Sequence, residues 1–247
     1  RSFETPEAGA VYVVPGARGP NQLPTGDLEY PVNVANIDGE NVTWRERMLT
    51  LRSNTAQQRI GMALAAGDVN GDGFADLVVG SAPSAAPGCM PPACGAVAVI
   101  WGGPDFFERG ELTFENLGSQ VGVLVQSDDG DATHGMGARV TTVDLDMDAR
   151  DEVVTSLGIP SEALGTPHGV VLFRGADFAD TYGTGATATS GTHLVLHGPT
   201  GRSSGFGLHL ARGDANGDRR YDLLIGAPFE HVLRDDLGYP GTVGLRY

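Results

Sequence analysis

The sequence contains no lysine, and this absence sets the first limits on what the protein can do. All 16 basic residues are arginine, against 31 acidic residues, so the formal net charge is −15. A phosphate-binding loop that ends in Lys-Ser or Lys-Thr is therefore excluded. An acidic surface also repels phosphate backbones, which argues against nucleic-acid binding.

Long apolar runs and cysteines are scarce as well. No run approaches the roughly 20 apolar residues that a membrane-spanning helix needs, so we expect no membrane span. The two cysteines, Cys89 and Cys94, bracket a short loop with two prolines. This spacing predicts a small disulfide-closed turn and an oxidising compartment, so a secreted or cell-surface location; two unpaired thiols are the alternative. Two cysteines alone cannot build a zinc site.

Three acidic segments recur in the chain with the same internal spacing. Their first aspartates are Asp68, Asp144 and Asp214, and a glycine stands seven residues before each, at positions 61, 137 and 207. An apolar run follows each segment. Self-similarity of this kind indicates a repeat architecture.

Short apolar runs bounded by turn residues predict the strands of each repeat. In each repeat, an apolar run opened by glycine follows the acidic segment, and a similar run stands near the start of the chain. These runs predict strands at 9–16, 95–103, 169–175 and 241–247. Further strands are predicted between the repeats, at 48–51, 121–125 and 193–196. Each repeat then has four short antiparallel strands in about 70 residues. That arrangement is typical of a β-propeller blade, which is stable only against its neighbours.

The repeats resemble the FG-GAP family, the blades of the integrin α-subunit propeller and its bacterial relatives. The resemblance is carried by Phe206-Gly207 with Gly226-Ala227-Pro228, and by Ile60-Gly61 with the Gly-Ser-Ala-Pro at 80–83. The middle repeat departs from it, because Met136 replaces the aromatic residue. The resemblance implies an all-β fold, a β-propeller of four-stranded antiparallel blades with calcium-binding hairpin loops.

We expect one propeller region over residues 1–247, divided into four parts. Residues 1–58 are predicted to be the end of a preceding or degenerate blade, followed by FG-GAP repeats at 59–133, 134–203 and 204–247. A closed propeller needs at least four blades. Three repeats and a remnant therefore predict a partial or small ring, and we favour a part of a larger propeller.

The acidic segments have the chemistry of calcium loops. The pattern Asp-x-Asn/Asp-x-Asp-x-x-x-Asp/Glu places oxygen-bearing side chains at loop positions 1, 3, 5 and 9, and calcium takes six to eight oxygen ligands. We expect three sites, each completed by the backbone carbonyl of position 7. The predicted ligands are Asp68, Asn70, Asp72, Phe74 and Asp76 in the first loop; Asp144, Asp146, Asp148, Arg150 and Glu152 in the second; and Asp214, Asn216, Asp218, Arg220 and Asp222 in the third.

Charge supports a cation, while two other interpretations of the loops stay open. The ligand positions carry −10 of the net −15, and carboxylates packed this closely repel one another unless a cation compensates. An EF-hand would need a glutamate at position 12 and flanking helices, but that position holds Val79, Thr155 or Ile225. Ordinary solvated turns also favour Asp, Asn and Gly.

No catalytic constellation stands out. The six histidines are scattered without a His-Glu-x-x-His motif, and Ser203 and Ser204, which precede a glycine, have no evident base. We therefore predict a non-catalytic extracellular recognition or cell-adhesion module with structural calcium, whose partner is an extracellular protein or glycan. A lectin-like propeller or the scaffold of a polysaccharide-active enzyme is one alternative, and a structural component of a surface assembly is another. The resemblance implies that the calcium loops lie on the face opposite the ligand surface.

Overall fold

The protein is built almost entirely from β-strands. A computed structural model describes residues 7–16, 48–81, 95–126, 136–157, 169–180, 186–187, 193–198 and 204–228. Strands in these residues form four sheets, and the α-helical structure among them is one short helix. The all-β prediction is confirmed. Cys89 and Cys94, and the strand expected at 241–247, lie outside the described residues.

The strands follow the predicted order along the chain. They are β1 (Ala10–Val13), β2 (Leu49–Arg52), β3 (Ile60–Gly67), β4 (Asp76–Ser81), β5 (Ala96–Ile100), β6 (Glu111–Thr113), β7 (Gly122–Gln126), β8 (Val140–Val143), β9 (Glu152–Leu157), β10 (Gly169–Phe173), β11 (Ala186–Thr187), β12 (His193–His197), β13 (His209–Gly213) and β14 (Asp222–Gly226). Two 3-10 helices span Phe106–Arg109 and Phe114–Asn116, and α1 spans Gly175–Asp180. The strand predicted over 169–175 is therefore too long, because β10 ends at Phe173 and Gly175 begins a helix.

Two of the sheets contain the four antiparallel strands that the repeats predict. The second sheet runs β3, β4, β5, β7 and the third runs β8, β9, β10, β12, each strand hydrogen-bonded to the next. The first sheet holds β1 and β2, and the fourth holds β13 and β14. This is the organisation of a partial β-propeller, and the described residues do not form a closed ring.

Two short strands pair outside their own repeat. The chain between β5 and β7 contains β6, which pairs in parallel with β2 of the first sheet, with Leu51 opposite Leu112. The chain between β10 and β12 contains β11, which pairs in parallel with β7 of the second sheet, with Ala186 opposite Val125. The repeats at 59–133 and 134–203 thus each add a strand to the outer edge of the sheet before them, a pairing that the sequence pattern does not predict.

The hydrophobic core lies between successive sheets, so each inner sheet is buried on both faces. All five residues of β5 are fully buried. Ala98 and Ile100 pack in a cluster with Leu51 of the first sheet, whereas Val97 and Val99 pack in a cluster with β10 of the third sheet. A strand that is covered on both faces has no polar side, which explains why the run is apolar without alternation.

The glycine that opens each repeat is required by backbone geometry. Gly61, Gly137 and Gly207 have φ of +83°, +91° and +86°, a left-handed conformation that other residues rarely adopt. A Cβ atom at these positions would lie 3.1 Å from Val11, 2.3 Å from the Ala96 carbonyl oxygen and 2.9 Å from Val170, respectively. These neighbours lie on β1, β5 and β10, each in the sheet before the one that the glycine opens. The recurring glycine therefore marks where one sheet packs closely on the next.

Candidate metal centres

Each acidic loop connects the first two strands of a sheet as a β-hairpin. The loops join β3 to β4, β8 to β9 and β13 to β14. The register is the same in all three, because position 9 pairs with the residue just before position 1: Gly67 with Asp76, Val143 with Glu152, and Gly213 with Asp222. Strands on both sides of the loops, through Val79, Thr155 and Ile225, contradict an EF-hand.

The backbone of the three loops turns in the same way. Positions 4 and 6 have positive φ in every loop: 76° and 88° at Gly71 and Gly73, 65° and 67° at Met147 and Ala149, and 79° and 69° at Gly217 and Arg219. Glycine adopts this conformation without strain, but a residue with a Cβ pays roughly 1–2 kcal/mol. The second loop, at Met147 and Ala149, and the third loop, at Arg219, therefore adopt the backbone conformation of the first loop at a cost in strain.

The first aspartate of each loop directs its carboxylate towards the middle of the loop, where the carboxylate accepts backbone hydrogen bonds. In the first loop, the N–H groups of Gly71 and Asp72 donate to Asp68 Oδ1 (2.8 and 3.0 Å), and that of Gly73 donates to Oδ2 (2.8 Å). In the third loop, the N–H groups of positions 4, 5 and 6 donate to Asp214 at 2.7, 3.1 and 2.8 Å. Positions 4 and 6 of the second loop do the same to Asp144, at 2.7 and 3.2 Å.

The last acidic residue of each loop closes the hairpin. Its carboxylate accepts the N–H of position 2, with distances of 2.8 Å from Val69 to Asp76, 2.7 Å from Leu145 to Glu152 and 2.8 Å from Ala215 to Asp222. Positions 1 and 9 are therefore held near each other before any ion is considered.

Burial makes two of these closing carboxylates difficult to ionise. Burial raises the pKa of Asp76 to about 6, opposed by hydrogen bonds from the N–H groups of Gly102, Val69 and Asn70 and reinforced by the charge of Asp72. Burial likewise raises the pKa of Glu152 to about 7, with the Leu145 hydrogen bond opposing and the nearby charges of the second loop's aspartates adding to the rise. Such sites favour a positive charge beside the carboxylates.

The structure brings together part of the second loop's predicted ligand set. Carboxylate oxygens of Asp144, Asp146 and Glu152 lie within 4.8 Å of one another, which suits a metal ion. Asp148 is not in this group, and its carboxylate accepts the N–H of Arg150 (2.9 Å). The other position 5 aspartates, Asp72 and Asp218, accept the N–H of position 7 in the same way, at 2.8 and 2.9 Å.

The side-chain oxygens of the two asparagines at position 3 accept a hydrogen bond from the N–H of position 5. The distance is 2.9 Å for both Asn70 and Asn216. Ligation by every residue of the three predicted sets, including the carbonyls of Phe74, Arg150 and Arg220, stays a prediction.

A glycine after the third strand also contributes to the loop, and the sequence analysis missed it. The N–H of Gly102 donates to Asp76 Oδ1 (2.7 Å). A Cβ atom on Gly102 would lie 2.4 Å from the carbonyl oxygen of Ala75 at position 8, and one on Gly175 would lie 2.7 Å from that of Asp151, also at position 8. The recurrence of glycine two residues after β5 and β10 is the signal that could have indicated this contact.

Comparison with known proteins agrees with this geometry. Residues 60–88, which include β3, the first acidic loop and β4, match the FG-GAP repeat. The chain is also 29% identical over 175 residues to the phosphatidylinositol-glycan-specific phospholipase D of Bos taurus, a match that covers 69% of this chain. The chain spans 19% of the length of that curated relative. Within the part that the structure describes, no helix is both long and apolar enough to cross a membrane. The chain therefore carries an FG-GAP repeat at residues 60–88, consistent with the integrin-like repeat family that its motifs resemble.

Proposed function

We propose that the chain is a non-catalytic extracellular recognition or adhesion module whose three hairpin loops bind structural calcium. The observation that carries the proposal is the shared loop conformation, built around a central aspartate in all three repeats. An ordinary turn would have no reason to keep positions 4 and 6 left-handed with Met147, Ala149 and Arg219. A common ligand at the loop centre would supply that reason.

The donor set favours calcium over other ions. Every side-chain donor is a carboxylate or amide oxygen, which suits a hard cation, and magnesium resists sites made wholly of protein ligands. The ligand positions carry −3, −4 and −3, so three divalent ions would reduce the net charge from −15 to −9. In each loop, the side chains of positions 1, 3, 5 and 9 and the carbonyl of position 7 would hold the ion. The ion would supply positive charge that ties both ends of the hairpin together.

The match of residues 60–88 to the FG-GAP repeat supports a non-catalytic role. The phospholipase activity in the relative's name belongs to a protein of which this chain spans 19%, so we do not assign it here. We also propose repeat boundaries at 58/59, 133/134 and 203/204, a Cys89–Cys94 disulfide, and a secreted or cell-surface location. The partner would be an extracellular protein or glycan. A glycan array beside a pull-down from cell-surface extracts distinguishes the two.

Titration calorimetry and thermal melting test the calcium sites directly. We expect three ions per chain, with Asp72→Ala and Asp218→Ala each losing one. Excess chelator should lower the melting temperature, by about 5–10 °C for each site that would otherwise be held at a hundredfold excess over its Kd. Glu108→Gln, an exposed acidic residue outside the loops, is the matched control and should bind three ions. Fewer than two ions per chain, or an unchanged melting temperature in excess chelator, would overturn the proposal.

A further inference from the structure

One peptide group connects the first acidic loop to the second. The carbonyl oxygen of Asp68 accepts a hydrogen bond of 2.7 Å from the N–H of Asp151. On the other side of the same peptide, the N–H of Val69 donates to the carboxylate of Asp76 at 2.8 Å. Asp151 directly precedes Glu152. The peptide thus lies between the closing residue of the first loop and the neighbour of the closing residue of the second.

The side chain of Asp151 is held in place by the fourth sheet. Its Oδ2 lies 2.8 Å from Nη1 of Arg212, and 13% of the Asp151 side chain is exposed. Arg212 lies on β13, two residues before Asp214, and its guanidinium group is 5.2 Å from the ring centre of Tyr221 in the third loop. The ion pair therefore fixes the segment of the second loop that donates to Asp68.

The first two loops are too close to move independently. A Cβ atom on Gly67 would lie 1.9 Å from Asp151 Oδ2, and one on Gly71 would lie 2.9 Å from Cγ of Arg150. Both glycines belong to the first hairpin and both neighbours belong to the second loop. The two hairpins therefore pack directly against each other where the glycines lack side chains, and closely packed groups transmit a displacement rather than absorb it.

We propose that calcium binding to the first and second loops is positively coupled, with Asp151 as the positioning residue. The inference rests on the proposed function. An ion in the second loop would fix Glu152 and the adjoining Asp151 peptide, and the Asp151 N–H would then fix Asp68 and Val69. The first loop would be partly ordered before its own ion arrives, so that ion would bind more tightly, and linkage makes the effect reciprocal.

The third loop provides an internal comparison. Within the described ranges, no backbone hydrogen bond joins the second loop to the third. The link there is the side-chain contact through Arg212. Coupling is therefore stronger between the first and second sites than between the second and third.

Calorimetry on variants with single and paired loops measures the coupling. Asp146→Ala with Asp218→Ala leaves the first loop, Asp72→Ala with Asp218→Ala leaves the second, and Asp218→Ala alone leaves both. We expect at least one ion of the pair to bind about fivefold or more tightly than either loop does alone. Asp72→Ala, which leaves the second and third loops, should show affinities within about twofold of those loops measured singly, the third in Asp72→Ala with Asp146→Ala.

Substitution of Asp151 tests its role. Asp151→Ala should reduce the coupling, whereas Asp151→Asn, which can still accept from Arg212, should preserve most of it. Glu7→Ala is the control, because it breaks the ion pair of Glu7 with Arg59 at the opposite end of β3 from the first loop. A loss of stability alone would affect both alanine variants, but only Asp151→Ala should change the ratio of paired to single affinities.

Hydrogen exchange provides a measurement that needs no Asp151 variant. In the Asp72→Ala protein, calcium bound to the second loop should slow amide exchange in the segment 66–76. Independent affinities in the paired protein, or unchanged exchange in that segment, would overturn the coupling while leaving the calcium sites intact. If neither the unsubstituted protein nor any of these variants binds calcium, the proposed function itself fails.

Discussion

The backbone N–H of Gly102 donates a 2.7 Å hydrogen bond to Asp76 Oδ1, and this bond ties the end of β5 to the closing residue of the first loop. The contact is possible because Gly102 has no side chain. A Cβ atom there would lie 2.4 Å from the Ala75 carbonyl oxygen, so the loop and the strand end could no longer approach each other.

Gly102→Ala should therefore destabilise the protein by about 1–3 kcal/mol, the usual cost of overpacking. Urea unfolding of the calcium-loaded protein measures the loss. Gly118→Ala is the matched control, because nothing lies within 4 Å of a Cβ at that position, and it should change stability by less than about 0.5 kcal/mol. Equal losses in the two variants would contradict the close approach.

Two further glycines separate backbone strain from steric contact. Gly137 and Gly217 have φ of +91° and +79°, so alanine at either position costs about 1–2 kcal/mol of strain. A Cβ on Gly137 would also lie 2.3 Å from the Ala96 carbonyl oxygen, whereas nothing lies within 4 Å of one on Gly217. Gly137→Ala should thus lose clearly more stability than Gly217→Ala in parallel denaturant titrations. A larger loss for Gly217→Ala would refute this account of the repeat glycine.

The strained positions of the second loop should be improved by glycine. Met147 and Ala149 have φ of 65° and 67°. Removing the Cβ relieves about 1–2 kcal/mol of strain, while glycine loses about 0.5–1 kcal/mol more in backbone entropy on folding. Met147→Gly and Ala149→Gly should each stabilise the protein by about 0.5–1 kcal/mol, seen as a higher melting temperature.

Ala75→Gly is the control for this pair of substitutions. Ala75 stands at loop position 8 and is not among the residues with positive φ, so glycine there should destabilise by about 0.5–1 kcal/mol. If all three glycine substitutions lower the melting temperature, the left-handed conformation of the second loop is not what limits its stability.

Glu115 should make stability depend on pH where the first and second sheets meet. Burial raises the pKa of this carboxylate, but hydrogen bonds from the Ser53 hydroxyl and the N–H groups of Asn54 and Thr55 outweigh burial and leave the pKa below its ordinary value. A depressed pKa contributes stability above the ordinary value of about 4.5, and this contribution is lost as the pH falls through the folded-state pKa.

Glu115→Gln should lower the melting temperature at pH 6, and the difference from the unsubstituted protein should shrink towards pH 3. Thermal melts across that range measure the difference. Glu111→Gln removes an exposed partner of Arg52 at 3.5 Å and should have little effect at any pH, since surface ion pairs contribute little. A constant difference for Glu115→Gln would mean that the hydrogen bonds do not depend on its charge.

Local pattern was sufficient to predict much of the fold. The run at 9–16 contains β1, and the runs at 48–51, 121–125 and 193–196 match β2, β7 and β12 to within one residue at each end, because short apolar runs between turn residues have few other stable conformations. The strands β6 and β11 could not be found in this way. They have three and two residues, and a partner in another repeat, rather than their own sequence, makes them strands.

In the candidate site, too, features set by nearby residues could be predicted and features set by sheet packing could not. The spacing of acidic residues correctly located three hairpins of one conformation, since an Asx-rich turn is specified by nearby residues. It did not place Asp148 outside the group formed by Asp144, Asp146 and Glu152. It also did not reveal the pairing of Asp151 with Arg212, because those residues are 61 positions apart and only sheet packing brings them together.

The parallel strands β6 and β11 mean that folding units and sequence repeats are not the same segments. A chain cut at the proposed boundary after residue 133 would keep β3, β4, β5 and β7 but would lose β11, which pairs with Val125 and Gln126 of β7. The outer edge of β7 would then lose these partners, and an unpaired edge invites pairing with other chains. A single repeat expressed by itself would aggregate for this reason, and a piece cut from the protein for separate study would have to extend past the last strand of one sheet, through the short strand that the next repeat contributes to it.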